Sequence, residues 1–211
     1  MKIEKIVNAI ALENTYLLSN NTACLVIDPG SEPSKLIEKI QTLKLPLVGI
    51  LLTHAHFDHI MGLEKLKKLF SDVPIYLNEA EKDWMKTPAL NASLSLLGQP
   101  VLAPDADLFY ELNHDYDLAD FHFFVRATPG HSIGGVSVIF SEENLLFSGD
   151  ALFKESIGRW DLPTGSYSQL HAAIENQLFS LPKDFTIFPG HGDATTLFHE
   201  KMANPFFRIK R

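Results

Sequence analysis

Residues 53–59 read Thr-His-Ala-His-Phe-Asp-His and follow directly on the apolar run Leu47–Leu52. A continuous apolar run of this length is the pattern of a strand buried on both faces. It therefore delivers three imidazoles and a carboxylate, His54, His56, Asp58 and His59, to the end of a buried strand. Side chains two apart in extended chain point the same way, so His54 and His56 can close on one metal. One step on, the chain turns, and Asp58 and His59 can face a second. Neutral imidazole and carboxylate are the donors that borderline divalent ions prefer. Four such groups in six positions are hard to satisfy without a cation, which weighs against a merely solvated strand end.

Three further segments share this setting: Pro129-Gly130-His131, Ser148-Gly149-Asp150 and Pro189-Gly190-His191. Each ends or follows a short apolar run (121–127, 145–147 and 185–188) and includes a glycine, where backbone can pass close to a neighbour without a Cβ in the way. Five of the nine histidines thus stand at strand ends. His114, His122, His171 and His199 lack that context and read as ordinary surface or satisfied residues.

The pattern His-x-His-x-Asp-His, followed by a distant His, an Asp and a last His, resembles the metallo-β-lactamase superfamily. Within it, the stretch 149–165 and Phe188-Pro-Gly-His191 are similar to glyoxalase II, the hydroxyacylglutathione hydrolases, and most of all to short single-domain bacterial relatives. The resemblance runs from about residue 15 to the C-terminus. It implies an α+β fold, the four-layer αββα sandwich, with a metal site along one edge of two facing sheets. It implies one domain over residues 1–211, without the C-terminal helical domain of longer glyoxalase II enzymes. Periodicity alone specifies only mixed α and β.

The resemblance also implies a ligand scheme. His54, His56 and His131 hold one ion, Asp58, His59 and His191 the other, and Asp150 bridges them. Two divalent ions are expected, zinc by default, with iron or manganese also compatible with these donors. A water shared between them becomes hydroxide at neutral pH, so Asp58 and Asp150, with that hydroxide, are the expected catalytic groups. By the same resemblance Arg159 meets the glutathione moiety, whose carboxylates suit a guanidinium fork. Lys154, Tyr167, Arg208, Lys210 and Arg211 are further candidates for substrate contact. Asp28, closing a strand, is expected to support a ligating imidazole from behind, with Thr53 and Thr128 in similar roles; a plain Asp-Pro-Gly turn is the competing reading.

The expected reaction is hydrolysis of a thioester of the S-D-lactoylglutathione type. Alternatives within the superfamily are a mono-iron persulfide dioxygenase, with Gly-Arg likewise near Arg159, or a lactone hydrolase. A non-catalytic metal-binding protein comes last, because a structural site is closed. β-Lactam cleavage is disfavoured, since Asp150 stands where many such enzymes place a cysteine or another ligand. The net charge of −8 and the lack of a basic stripe disfavour nucleic acid as a partner. The single cysteine, Cys24, excludes intrachain disulfides and reads as a core thiol. No apolar stretch reads as a signal peptide or membrane span, so the expected setting is cytoplasmic. The pattern specifies no oligomeric state.

Along the chain, strands are expected over 2–10, 14–19 and 22–28. A helix capped by Ser31 follows to about Leu43, with Pro33 in its first turn. Helical spacing continues over 60–70. Beyond it come a strand at 75–77, two short helices around Pro88, strands near 121–127, 135–140, 144–148 and 185–188, and helices near 167–180 and 195–203.

Overall fold

The computed structural model describes residues 1–208, so Lys210 and Arg211 lie outside the described residues. The chain divides into two compact units, residues 1–110 with 117–121, and residues 111–116 with 122 onward.

The first unit holds β1 (Lys2–Val7), β2 (Asn14–Ser19), β3 (Cys24–Ile27), α1 (Pro33–Leu43), β4 (Leu47–Leu51), α2 (Phe57–Ile60), α3 (Leu63–Leu69), β5 (Ile75–Leu77) and β6 (Leu108–Phe109). Its sheet runs β1-β2-β3-β4-β5-β6, antiparallel through β3 and parallel from there on. Parallel neighbours on both sides explain why β4 is apolar throughout. Leu36, Ile37 and Ile40 of α1 pack with Leu17, Val26, Ile50 and Leu52 in one core. Cys24 belongs to that core, and burial pushes its thiol up to about 11, as its apolar setting predicts.

Two expectations change here. The cap of α1 is Glu32, not Ser31; the Ser31 hydroxyl instead accepts from the Ile10 N–H at 3.1 Å. The helix expected over 60–70 is two, α2 and α3, broken at Gly62. The Gly62 N–H donates to the Pro29 carbonyl at 2.8 Å, and a Cβ there would come within 2.8 Å of both the Pro29 and Gly30 oxygens. Close docking on the Asp28-Pro29-Gly30 loop interrupts the helix.

The second unit carries β7 (Asp115–Leu118), β8 (Phe121–Ala127), β9 (Val136–Phe140), β10 (Leu145–Gly149), the hairpin β11 (Leu152–Phe153) and β12 (Ser156–Ile157), α4 (Tyr167–Ala173), β13 (Thr186–Pro189), β14 (Thr195–Thr196) and α5 (Leu197–Ala203). Residues 117, 118 and 121 of β7 and β8 are assigned to the first unit. The sheet order is β14-β13-β10-β9-β8-β7, with β10 and β13 parallel. Leu170, Ile174 and Leu178 form the buried stripe expected of 167–180, although the chain changes to a π turn at Ile174–Leu178. The short strands β6, β7, β11, β12 and β14 give no periodic signal of their own. Among the described residues no helix is long and apolar enough to cross a membrane.

Candidate metal centre

In the first unit, Asp28 follows β3 and Thr53 follows β4. The parallel register pairs Ile27 with Leu51, and the Asp28 N–H reaches the Leu51 carbonyl at 3.1 Å. Side chains 25 residues apart in sequence therefore meet. The Asp28 carboxylate accepts from the Thr53 N–H at 2.8 Å and from the Thr53 hydroxyl at 2.6 Å, and its Oδ2 lies 3.0 Å from His59 Nδ1. Asp28 sits at φ +49°, a left-handed conformation that Asp tolerates better than most residues.

These contacts fix protons. A carboxylate can only accept, so His59 carries its proton on Nδ1 and keeps a lone pair on Nε2. The only hydroxyl proton of Thr53 goes to Asp28, so its oxygen accepts from His54 Nδ1 at 3.1 Å, leaving the His54 lone pair on Nε2. One buried carboxylate thus sets the tautomer of two imidazoles. Their rings gather closely: His54 stands 4.7 Å from His56 and 4.2 Å from His59, centroid to centroid. Asp58 Oδ2 lies 3.8 Å from His59 Nε2. All four of His54, His56, Asp58 and His59 are buried.

In the second unit, parallel pairing of β10 with β13 sets Phe147 opposite Phe188, and the Gly190 N–H donates to the Gly149 carbonyl at 2.9 Å. Asp150 and His191 consequently leave neighbouring strand ends together. His131 comes from the turn after β8, closed by the bond from Thr128 N–H to the Gly135 carbonyl at 2.8 Å. Asp150 Oδ2 stands 3.4 Å from His131 Nε2 and 3.3 Å from His191 Nε2. His131 Nδ1 donates to the Arg159 carbonyl at 2.8 Å, again leaving the lone pair on Nε2.

Both donor sets fit a divalent cation. Three imidazoles have Nδ1 engaged by an acceptor and so carry the lone pair on Nε2, the usual second-layer arrangement of ligating histidines. Donors about 2.1 Å from a tetrahedral ion stand roughly 3.4 Å apart, which matches the spacing around Asp150.

Several expected residues sit differently. The Arg159 guanidinium grips Asp161 in a two-pronged pair at 2.7 and 2.9 Å. This pair holds the Asp161 carboxyl down to about 2 and raises the guanidinium further. The backbone of Arg159, rather than its side chain, meets His131. Thr128 pairs with Ser137 at 3.1 Å. His171 stands 3.3 Å from Glu175 and His199 3.0 Å from Glu155, in keeping with ordinary roles.

Three further buried acids, Glu13, Glu81 and Glu200, stand outside the ligand pattern of the sequence. Glu13 Oε1 lies 3.9 Å from His59 Nδ1. Glu200 accepts from the Glu155 N–H at 2.9 Å and the Thr195 hydroxyl at 2.6 Å, and so anchors the β11–β12 hairpin that leads into Gly158 and Arg159. An acid on the buried stripe of a helix is the signal that could have found Glu200, three residues after Leu197.

The fold and donor sets define a class, the metal-dependent hydrolases built on two mixed sheets with flanking helices. The family model of the metallo-β-lactamase superfamily matches residues 11–191, and the chain belongs to that superfamily. It is 48% identical to a probable metallo-hydrolase of Streptococcus pyogenes serotype M6, over 98% of this chain and 90% of that one. Identity to the hydroxyacylglutathione hydrolase GloC of Haemophilus influenzae is 36%, over the whole of both chains. Among solved structures, the BLEG-1 B3 metallo-β-lactamase superimposes with a TM-score of 0.94 at 38% identity, covering 99% of this chain and 100% of that one. TTHA1623 in a di-iron-bound form gives 0.79 at 37%, covering 96% and 99%. The expected α+β metallo-β-lactamase fold is thereby established.

Proposed function

We propose that this chain hydrolyses a thioester of the S-D-lactoylglutathione type, using two divalent ions, zinc foremost. His54, His56 and His131 would hold one ion, Asp58, His59 and His191 the other, and Asp150 would serve both. The observation that carries the reading is the donor set itself, with an acceptor at Nδ1 and the lone pair on Nε2 at His54, His59 and His131. Full-length similarity to the GloC hydrolase supports the substrate class. Similarity to the di-iron TTHA1623 keeps iron among the metals to be tested.

A pair of divalent cations lowers the pKa of a shared water enough to supply a nucleophile at neutral pH. The protein's own part is positional. Asp28, directly at His59 and through Thr53 at His54, keeps two imidazole protons away from the reacting side, and the Arg159 carbonyl does the same for His131. Asp58 and Asp150 supply negative charge that offsets the cations. In hydrolysis the water oxygen bonds to the carbonyl carbon and the C–S bond breaks. The thiolate that leaves has a pKa of roughly 8.5 and needs little help from an acid. This suits a centre whose histidines are all ligands. A cytoplasmic setting matches such chemistry, because thiols stay reduced there.

Elemental analysis of metal-replete protein, paired with assays on S-D-lactoylglutathione, tests the reading. We expect two ions per chain and thioester cleavage, with Asp58→Ala losing one ion and most activity. One ion, unchanged by Asp58→Ala, would overturn the binuclear scheme. A single iron with oxygen consumed on a glutathione persulfide would assign a dioxygenase. Cleavage of a β-lactam in preference to the thioester would assign the activity in the name of BLEG-1.

Arg159 is proposed to grip a substrate carboxylate, for which it must trade its bond to Asp161. Arg159→Ala should raise KM roughly 10-fold with kcat little changed, the pattern of a lost charge-assisted contact made equally before and during reaction. Asp161→Asn should lower KM, by releasing the fork. Since the contact to His131 comes from the backbone of residue 159, neither change touches it. Equal losses for charged and uncharged thioesters would return Arg159 to a purely structural role.

A further inference from the structure

Behind the loop that carries His54, His56 and His59 lies the segment 78–91, which no part of the ligand scheme uses. It begins with Asn78, whose side chain accepts from the Ala80 N–H at 3.1 Å and caps the short helix Glu79–Lys86. From this helix Glu81, with no exposed surface, takes the Ala55 N–H at 2.6 Å. Three residues on, the Trp84 ring lies against the His56 ring, 5.6 Å between centroids and tilted by 35°. The Asn91 carbonyl then accepts the Phe57 N–H at 2.9 Å. Positions 55, 56 and 57 are therefore each met in turn by one segment. Asn91 is itself held, its amide donating to the Trp84 carbonyl at 3.1 Å and the Val101 carbonyl at 3.0 Å.

A charged carboxylate is costly to bury unless it is well bonded. Ala55 lies between two imidazoles whose shared direction depends on extended backbone at that point. Rotation of the 54–55 or 55–56 peptide would separate His54 from His56. We infer that Glu81 is a positioning residue for the metal centre: its carboxylate pins the Ala55 amide, and with Trp84 and Asn91 it shapes the loop so that His54 and His56 present their Nε2 atoms together. This rests on the reading of those two histidines as ligands to one ion.

The test compares wild type, Glu81→Ala and Glu81→Gln by zinc titration against a competing chelator, and by amide hydrogen exchange of the zinc-free proteins. Glu81→Ala should bind zinc about 10–100-fold more weakly, the usual effect of removing a group that orients a ligand. It should lose exchange protection at Ala55 while Phe57, bonded to Asn91, stays protected. Glu81→Gln keeps an acceptor oxygen and should regain much of both. Zinc affinity of Glu81→Ala equal to wild type would overturn the inference. So would loss of protection at Ala55 and Phe57 alike in both variants, which would make Glu81 a general support of the fold. Wild type binding no zinc would overturn the ligand reading itself, and this role with it; the unsubstituted protein alone distinguishes that case.

Discussion

Asp150→Asn is expected to cut kcat by about 100-fold or more, beyond the 10–100-fold typical of groups one layer further from a metal. The substitution keeps the shape and removes the charge. Asp150 Oδ2 stands 3.4 Å from His131 Nε2 and 3.3 Å from His191 Nε2, so this one oxygen borders a proposed ligand of each ion. An amide in its place offers less negative charge to hold two cations together. Metal content should fall from two ions toward one, and KM should change much less than kcat. Glu142→Gln, an exposed acid in the turn before β10, serves as the control for charge loss alone. Near-normal turnover in Asp150→Asn with two ions retained would show that the bridging role is misassigned.

Gly158→Ala should be nearly as damaging, although it removes no functional group. A Cβ at residue 158 would run into the Asp150 carbonyl and come within 3.2 Å of His131 Nδ1. Neither neighbour can give way alone, since the Asp150 carbonyl is main chain, His131 Nδ1 is bonded to the Arg159 carbonyl, and the Gly158 N–H is tied to the Ala151 carbonyl at 3.2 Å. Relief requires the 150–159 hairpin to shift, and displacement of reacting groups by about 1 Å can cost roughly 100-fold in rate. We expect kcat/KM to fall by about that factor while far-UV circular dichroism keeps its native shape. Wild-type kinetics would mean that the hairpin yields freely and does not set the position of Asp150 or His131.

The sequence by itself determined the donor chemistry and most of the elements that present it. Four ligand-type side chains in six positions after a doubly buried strand leave few alternatives, and the histidines at strand ends stand apart from the four that are not. The apolar runs located β2, β4, β5, β8, β9, β10 and β13 closely, because burial on a sheet leaves a local, periodic trace. The break at Gly62 left none, since it comes from docking against residues more than thirty positions away.

Only the tertiary structure decided which acids stand behind the histidines. Asp28 reaches His59 and Thr53 through parallel pairing of β3 with β4, which joins segments about 25 residues apart in the chain. Glu81 and Glu13 lie in segments whose local pattern says nothing about the loop they support. Resemblance alone points the Arg159 side chain at substrate, yet its fork is held by Asp161 and its backbone carbonyl by His131. Periodicity reports which face of an element is buried. It does not report which distant residue will lie against that face, because non-local pairing depends on how whole elements stack, and a buried carboxylate can be satisfied by any donor that the stacking brings within reach.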